Sequence, residues 1–172
     1  ELENVGAFCQ RVLANPGVSS LLIVDDSSPD GTADRIRELA RQDERIRLIQ
    51  RPKKLGLGSA HKLAMSYAIK QGFDRLVTMD ADLSHRPEDI PALLKAAETH
   101  DFVIGSRYAK GGECGYSGYR LFISVLANRS SRMALGIQLT EFTSSFRVFN
   151  VPSLLTNLDV DEIRSQGYSF FL

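Results

Sequence analysis

Apolar and polar positions along the chain follow two alternating patterns, helical periodicity and short continuous apolar runs. Apolar residues at helical spacing predict helices beginning near positions 5, 32, 60, 87 and 119. Short apolar stretches predict strands, and the continuous apolar run at 21–24 predicts a strand that is buried on both faces. These predicted strands span residues 21–24, 47–50, 76–79, 102–104 and 148–149. Strands that alternate with helices predict a three-layer α/β domain with a mostly parallel sheet.

Two carboxylates separated by one residue, Asp80 and Asp82, follow the third predicted strand. They repel each other unless a cation or several donors hold them, so the pair is costly to build for stability alone. Mg²⁺ and Mn²⁺ prefer oxygen ligands, and Mg²⁺ combines one or two carboxylates with substrate phosphates. The pair predicts a divalent-metal site that presents a nucleotide diphosphate; a solvated turn is the alternative. Ser84 is either a further ligand or a helix cap.

Other charged residues also follow predicted strands. Asp25 and Asp26 come after the first strand and Arg107 after the fourth. Because α/β sheets bind ligands at the carboxyl ends of their strands, these groups are expected to meet at one site. One of the two acids is expected to contact a nucleotide and the other only to cap the turn. Arg107, Arg120 and Arg147 are candidate phosphate clamps, with surface ion pairing as the alternative.

Composition narrows the class of protein. With 172 residues, 43% apolar and 24% charged, the chain fits one globular domain, and its net charge of zero gives no argument for nucleic acid. Six basic against two acidic residues between positions 107 and 147 suit an anionic ligand or a membrane surface. Cys9 and Cys114 lack metal-ligand spacing and indicate free thiols in a reducing compartment. The start at Glu1 rather than Met suggests a missing upstream segment.

Several motifs occur together in a fixed order. They are VDDSSPDGT at 24–32, KLGLGSA at 54–60, MDADLSHRP at 79–87, GSRY at 105–108 and TSSFR at 143–147. This combination resembles the polyprenyl-phosphate (dolichol-phosphate) mannosyltransferases of glycosyltransferase family 2. Residues 1–4 are similar to the end of that family's opening motif. The resemblance implies the GT-A fold, a Rossmann-like nucleotide-diphospho-sugar transferase fold, here without its first strand.

The resemblance also implies an activity and a domain organisation. Residues 1–172 would form one catalytic domain, with 1–107 binding the nucleotide sugar and 108–172 the acceptor. The implied reaction is the inverting transfer of a mannosyl residue from GDP-mannose to a polyprenyl (dolichyl) phosphate, assisted by Mg²⁺ or Mn²⁺. The implied location is the cytoplasmic face of a membrane, where the protein would be peripheral. Implied partners are the membrane surface and an anchoring segment or subunit, without nucleic acid.

Individual roles follow from the same resemblance, motif by motif. The residues placed at the donor nucleotide sugar are Glu1, Val24, Asp26, Asp80, Ala81, Asp82 and Arg107. The catalytic residues are Asp82, Arg107 and Arg120, with Arg120 helping to receive the lipid phosphate. The metal contacts are Asp82 and Ser84. Glu141 departs from the family pattern, which usually has Asp at that position.

Three other interpretations fit parts of the chain. The first is a family 2 transferase that uses UDP-glucose or another donor. A Mg²⁺-binding receiver-type signalling domain also begins with an apolar strand that ends in two acids, as residues 21–26 do. A catalytically inactive, truncated fragment is the third.

Overall fold

The computed structural model describes residues 2–109, 112, 118–136 and 139–163. The helices are α1 (Leu2–Leu13), α2 (Thr32–Gln42), α3 (Leu57–Gln71), α4 (Ile90–Ala96) and α5 (Gly118–Leu135). The strands are β1 (Leu21–Asp25), β2 (Ile46–Gln50), β3 (Arg75–Thr78), β4 (Phe102–Ile104) and β5 (Arg147–Asn150). Short 3-10 turns lie at Pro87–Asp89, Leu155–Asn157 and Val160–Glu162. Every predicted helix therefore begins within about one helical turn of its predicted position, and every predicted strand overlaps an observed strand.

The described strands form two sheets. Strands β1 and β2 pair in parallel, with Leu21 opposite Ile46. Strand β5 lies between β3 and β4 and is antiparallel to both. Strands β3 and β4 consequently run in the same direction. The α/β fold class is confirmed and is consistent with a GT-A fold; β5 is the described strand that runs against its neighbours.

Two apolar cores hold these layers together. The first joins α1, α2, β2 and α4 around Phe8, Ile36, Ile46 and Ile90. Helix α1 contributes one stripe at helical spacing, of which Phe8 is only 3% exposed. Each such side chain stabilises the fold by roughly 1.5–3 kcal/mol when it is fully buried. The second core packs α3 against β5 around Phe149.

Among the described residues, those other than glycine with a positive φ lie in the loops that follow β1 and β3. Ser27 has a φ of 58° and Leu83 a φ of 64°. Residues other than glycine rarely adopt this left-handed backbone conformation, and residues strained in this way concentrate at functional sites. In the described ranges, these two loops at the predicted site are thus the ones in which a non-glycine backbone leaves its ordinary conformations.

Helix α4 begins later than the proline predicts, because Pro87 opens a 3-10 turn at Pro87–Asp89 before the α-helix starts at Ile90. Helix α3 ends at Gly72, which has a φ of 68° and closes the helix in the left-handed conformation. Among the described residues, no helix combines the length and the apolar character needed to cross a membrane.

Candidate functional site at the carboxyl ends of β1, β3 and β4

The turn after β3 arranges the acidic pair through local hydrogen bonds. The backbone N–H of Asp80 donates to Nδ1 of His85 over 3.1 Å. The backbone N–H of Ser84 donates to Oδ1 of Asp82 over 2.9 Å. The left-handed Leu83 between Asp82 and Ser84 reverses the chain so that this bond can form. Both carboxylates stay accessible to a ligand, since the side chain of Asp80 is 42% exposed and Asp82 is exposed.

The surroundings favour the ionised form of Asp82 and the neutral form of His85. Partial burial raises the pKa of Asp82, but hydrogen bonds from Ser84, joined by His85 whenever that ring carries a proton, outweigh it, so the pKa falls below its usual value. Burial lowers the pKa of His85, with Asp80 and Asp82 opposing that effect. The His85 ring stacks on Phe146, with 5.3 Å between ring centroids. His85 therefore accepts a hydrogen bond and supports the turn.

The residues of this turn fit a metal ion that is completed by substrate. Within the described part of the chain, no group of three or more His, Cys, Asp or Glu side chains could hold a metal. Mg²⁺ is usually bound by one or two carboxylates together with substrate phosphates, so a closed protein cage is not needed. Asp82 and Asp80 supply such accessible oxygens. The backbone N–H of Ser84 donates to Asp82 within the turn, whereas the N-cap of the 3-10 turn at Pro87–Asp89 is Arg86, so Ser84 does not cap that turn and its metal contact stays a prediction.

The two acids after β1 have different roles. Asp25 is only 4% exposed and accepts the backbone N–H of Ser28 over 3.2 Å, so it caps the turn. The carboxylate of Asp26 accepts two hydrogen bonds from the Arg51 guanidinium, one from Nε to Oδ1 and one from Nη2 to Oδ2, the latter at 2.8 Å. Nη1 of Arg51 reaches Oγ of Ser59 at the start of α3 over 2.6 Å. Arg51 thereby joins the loop after β1 to the glycine-bearing loop before α3.

Sequence reasoning missed Arg51. Its signal is similar to the one that identified Arg107, a basic residue within three positions of the end of a strand. Arg51 differs in that its side chain is only 9% exposed. The guanidinium positions the carboxylate of Asp26, one of the predicted nucleotide contacts.

Arg107 lies beside a buried acid. Glu141 is fully buried, and its Oε2 accepts the backbone N–H of Arg107 over 2.9 Å. Its Oε1 accepts Nε of Arg107 over 2.9 Å and also Nη2. The Arg107 side chain is 33% exposed, so the guanidinium is partly open to solvent at the carboxyl end of β4. The residue that departs from the family pattern is therefore the partner of a predicted phosphate-binding arginine.

The prediction that Arg147 is a phosphate clamp is wrong. Arg147 is only 7% exposed, and its guanidinium donates to the carbonyls of Ser144 at 2.7 Å and Phe142 at 2.6 Å. The guanidinium carbon also lies 5.6 Å from the centroid of the Phe102 ring. Burial lowers the pKa of Arg147 to about 10, and Glu141 opposes that shift. Arg147 is an interior group that holds the loop before β5.

The structure brings together several predicted donor-site residues. Val24, Asp80, Ala81 and Asp82 all line one groove between β1 and β3. Asp26 is directed to Arg51 at the neighbouring loop. Two predicted positions fall outside the described part of the chain, namely Glu1 and the side chain of Arg120, whose backbone belongs to α5.

An α/β domain with accessible carboxylates and a paired arginine at the carboxyl ends of its strands has the arrangement of a ligand-binding domain. The chain belongs to glycosyltransferase family 2, because the sequence profile described as "Glycosyl transferase family 2" matches residues 1–156. The family and the enzyme class predicted from the motifs are both confirmed, and the receiver-domain alternative is excluded. Members of the family generally use a divalent metal ion.

Two curated proteins are similar over nearly the whole chain. An undecaprenyl-phosphate mannosyltransferase of Micrococcus luteus is 40% identical over 171 residues, which cover 99% of this chain and 70% of that protein. A polyprenol monophosphomannose synthase of Mycolicibacterium smegmatis is 37% identical over 173 residues, which cover 99% of this chain and 65% of that protein. These relatives confirm the predicted resemblance to polyprenyl-phosphate mannosyltransferases.

Proposed function

We propose that this chain is the catalytic domain of an enzyme that transfers a mannosyl residue from GDP-mannose to a polyprenyl phosphate. The observation that carries the proposal is the shared groove of Val24, Asp80, Ala81 and Asp82 at the carboxyl ends of β1 and β3. The names of the two relatives supply the acceptor class and the sugar. Residues 1–107 would bind the donor and residues 108–172 the acceptor.

The reaction is one displacement at the anomeric carbon of the sugar. An oxygen of the acceptor phosphate forms the new bond to that carbon while the bond to the nucleotide diphosphate breaks, which inverts the configuration. A phosphate monoester has a second pKa of about 6 and is already anionic near neutral pH. The acceptor therefore needs no protein base, in keeping with His85 serving as a neutral support for the turn.

The protein must above all stabilise the negative charge that develops on the departing diphosphate. Asp82, with Asp80 beside it, would hold a Mg²⁺ or Mn²⁺, which supplies neutralisation of that charge. Arg107 would contact phosphate through the exposed part of its guanidinium while Glu141 fixes its orientation. Arg120 of α5 would receive the acceptor phosphate.

Helix α5 supports placement at a membrane surface. Its apolar side chains are unusually exposed, with Tyr119 and Met133 each 78% and Phe122 62% exposed. Arg129 and Arg132 on the same helix are exposed as well. Exposed apolar side chains beside basic ones suit an interface with anionic lipid. The protein would act peripherally at the cytoplasmic face, with an anchoring segment or subunit as a further attachment.

Donor binding tests the first half of the proposal. Titration calorimetry with GDP-mannose, UDP-glucose and an ADP-sugar, each with Mn²⁺, Mg²⁺ or a chelator, should show metal-dependent binding of GDP-mannose. Asp82→Ala should remove that dependence, whereas Asp34→Ala on α2, with a side chain 82% exposed, is the matched control and should bind like the parent. A preference for UDP-glucose would establish the alternative donor, and binding of no sugar nucleotide would establish the inactive-fragment interpretation.

Acceptor transfer tests the second half. Arg120→Ala should slow mannosyl transfer to a short-chain polyprenyl phosphate while donor affinity stays unchanged. Arg129→Ala, a change of the same type on the same helix, is the control. Equal transfer rates in the two variants would remove Arg120 from the acceptor site.

A further inference from the structure

Helix α5 orients its polar and apolar faces in the opposite way to an ordinary surface helix. A surface helix normally packs its apolar side chains inward and exposes its polar ones. Among the described side chains of α5, the buried one is Asn128, which is 6% exposed. Ser124 and Ser131 are half-buried and lie on the same face, at the spacing i, i+4, i+7 with Asn128. The exposed apolar side chains are Tyr119, Phe122, Ile123, Val125, Leu126 and Met133.

The inner face of α5 is hydrogen-bonded to the loop after β4 and to the loop before β5. Oγ of Ser124 accepts the O–H of Tyr108 over 2.6 Å. Oδ1 of Asn128 accepts the backbone N–H of Phe142 over 2.9 Å. Nδ2 of Asn128 donates to the carbonyl of Ser124 over 3.0 Å, so the two contact points are also joined to each other. One helix face therefore holds both loops.

The two residues that α5 holds adjoin the buried ion pair. Tyr108 directly follows Arg107, and Phe142 directly follows Glu141. Glu141 in turn accepts the backbone N–H and the guanidinium of Arg107. Buried networks whose donors and acceptors are satisfied make their surroundings rigid. The position of the Arg107 guanidinium is thus tied to α5 through both members of the pair.

The outer face of α5 gives this connection a consequence for the reaction. An apolar helix face that lies on a lipid surface fixes the helix at the level of the headgroups, where a lipid-linked phosphate also lies. We propose that Asn128 and Tyr108 are positioning residues, which set the Arg107 guanidinium relative to α5 and so relative to the lipid surface that supplies the acceptor. The inference rests on the proposed function, which places α5 at the membrane and phosphate at Arg107.

Transfer kinetics test the proposal. Asn128→Leu removes both side-chain hydrogen bonds at similar size, and Tyr108→Phe removes one hydroxyl without leaving a cavity. With a short-chain polyprenyl phosphate in vesicles of phosphatidylcholine and phosphatidylglycerol, kcat should fall roughly tenfold or more in each variant, because a small displacement of a positioned group is that costly. The Kd of GDP-mannose should stay near the parent value, since the charge that Arg107 meets develops during transfer. Sedimentation with the vesicles should also be unchanged, because the outer face of α5 is intact.

Ser131→Ala is the matched control. Ser131 lies on the same face, but its side chain makes no hydrogen bond within the described part of the chain, so this variant should transfer like the parent.

A second readout needs no sugar transfer. The Nε–H of Arg107, which donates to Glu141, is observed by NMR. Bicelles of the same two lipids should shift this signal in the parent and in Ser131→Ala. The shift should be largely lost in Asn128→Leu and in Tyr108→Phe, although both variants bind the bicelles.

Several results would overturn the proposal. Parent transfer rates in both variants would do so, as would an Arg107 signal that the bicelles leave unshifted in the parent. Loss of vesicle binding together with transfer would show that the two residues only stabilise α5. Absence of mannosyl transfer in the parent would refute the proposed function instead, and the lipid-induced shift of Arg107 would then decide the coupling by itself.

Discussion

Glu141 is the fully buried partner of Arg107, and the contact joins the loop after β4 to the loop before β5. A buried carboxylate is costly unless it is paired and hydrogen-bonded. Here it accepts the backbone N–H and the guanidinium of Arg107 together, so one acid fixes both the main chain and the side chain of that residue. Variants of Arg107 will therefore change stability as well as phosphate binding.

The first prediction concerns this pair. Glu141→Gln should lower the free energy of unfolding by about 3 kcal/mol, because it leaves a partly buried guanidinium without its counter-charge. Glu141→Asp keeps the charge and should cost less. Urea unfolding of Arg107→Gln, Glu141→Gln and the double variant should give a clearly non-additive cycle. Glu88→Gln is the control, since the Arg11–Glu88 pair has side chains 40% and 50% exposed and should contribute less than about 1 kcal/mol. Additive losses would contradict the assignment.

The second prediction concerns Arg51. Arg51→Lys keeps the charge but loses the two-pronged contact with Asp26, so the free energy of unfolding should fall by about 2 kcal/mol. Arg45→Lys, which alters an exposed pair with Asp43, should stay within about 0.5 kcal/mol of the parent. Ser59→Ala should lose about 1 kcal/mol, because one contact of the guanidinium is removed. If Arg51→Lys were as harmless as Arg45→Lys, Arg51 would not be a positioning residue.

The elements could be predicted from the sequence because their signals are local. The apolar run at 21–24 and the helical stripe that begins at Val5 depend only on neighbours along the chain, and β1 and α1 lie where those signals predict. The direction of β5 could not be predicted, since its partners Leu76 and Phe102 are distant in sequence. The same distance explains why the prediction did not separate the strands into two sheets.

The candidate site shows the same difference between local signals and contacts that are distant in sequence. The acids Asp80 and Asp82 were predicted because neighbouring residues are enough to identify a strand end and a turn. Arg147 was predicted to be a phosphate clamp because nothing near it in sequence indicates that the Phe142 and Ser144 carbonyls enclose it. Arg51 was missed because its partner Asp26 is 25 positions away. Charged residues are thus located by sequence, but their burial and their partners are properties of the fold.

The third prediction concerns pH. His61 is 6% exposed, and burial, followed by the charge of Arg147, lowers its pKa to about 4, with Asp80 opposing the shift. The unfolded chain takes up this proton near pH 6.5 and the folded chain only near pH 4, so stability is full above 6.5 and falls as the pH decreases through that window.

Between pH 7 and 4.5, His61 alone should remove about 2 kcal/mol from the free energy of unfolding. His61→Gln should flatten the urea-unfolding profile over that range by this amount, and His100→Gln at an exposed position should leave it unchanged. Parallel profiles for the parent and His61→Gln would show that His61 titrates normally in the folded protein.

The last prediction concerns the close contact of Gly105 with Phe146. The Gly105 N–H donates to the Phe146 carbonyl over 2.7 Å, and a Cβ on Gly105 would lie 2.8 Å from Cδ1 of that ring. Gly105→Ala should therefore lower the free energy of unfolding by about 1–3 kcal/mol through overpacking. Gly6→Ala in α1 is the matched control, because its nearest neighbour is 3.9 Å away at the tip of Arg35 and the helix should gain roughly 0.5–1 kcal/mol.

Phe146 transmits this change to the acidic turn. Its ring stacks on His85, which accepts the backbone N–H of Asp80, so a displaced ring should move the turn that holds both acids. Adding Phe146→Leu to Gly105→Ala should recover part of the stability, since the smaller side chain gives the new methyl group room. Chemical-shift changes at Asp80 and Asp82 in Gly105→Ala, but not in Gly6→Ala, would be the signature of that coupling. A Gly105→Ala protein as stable as the parent, with an unshifted turn, would show that β4 and β5 separate freely at this point.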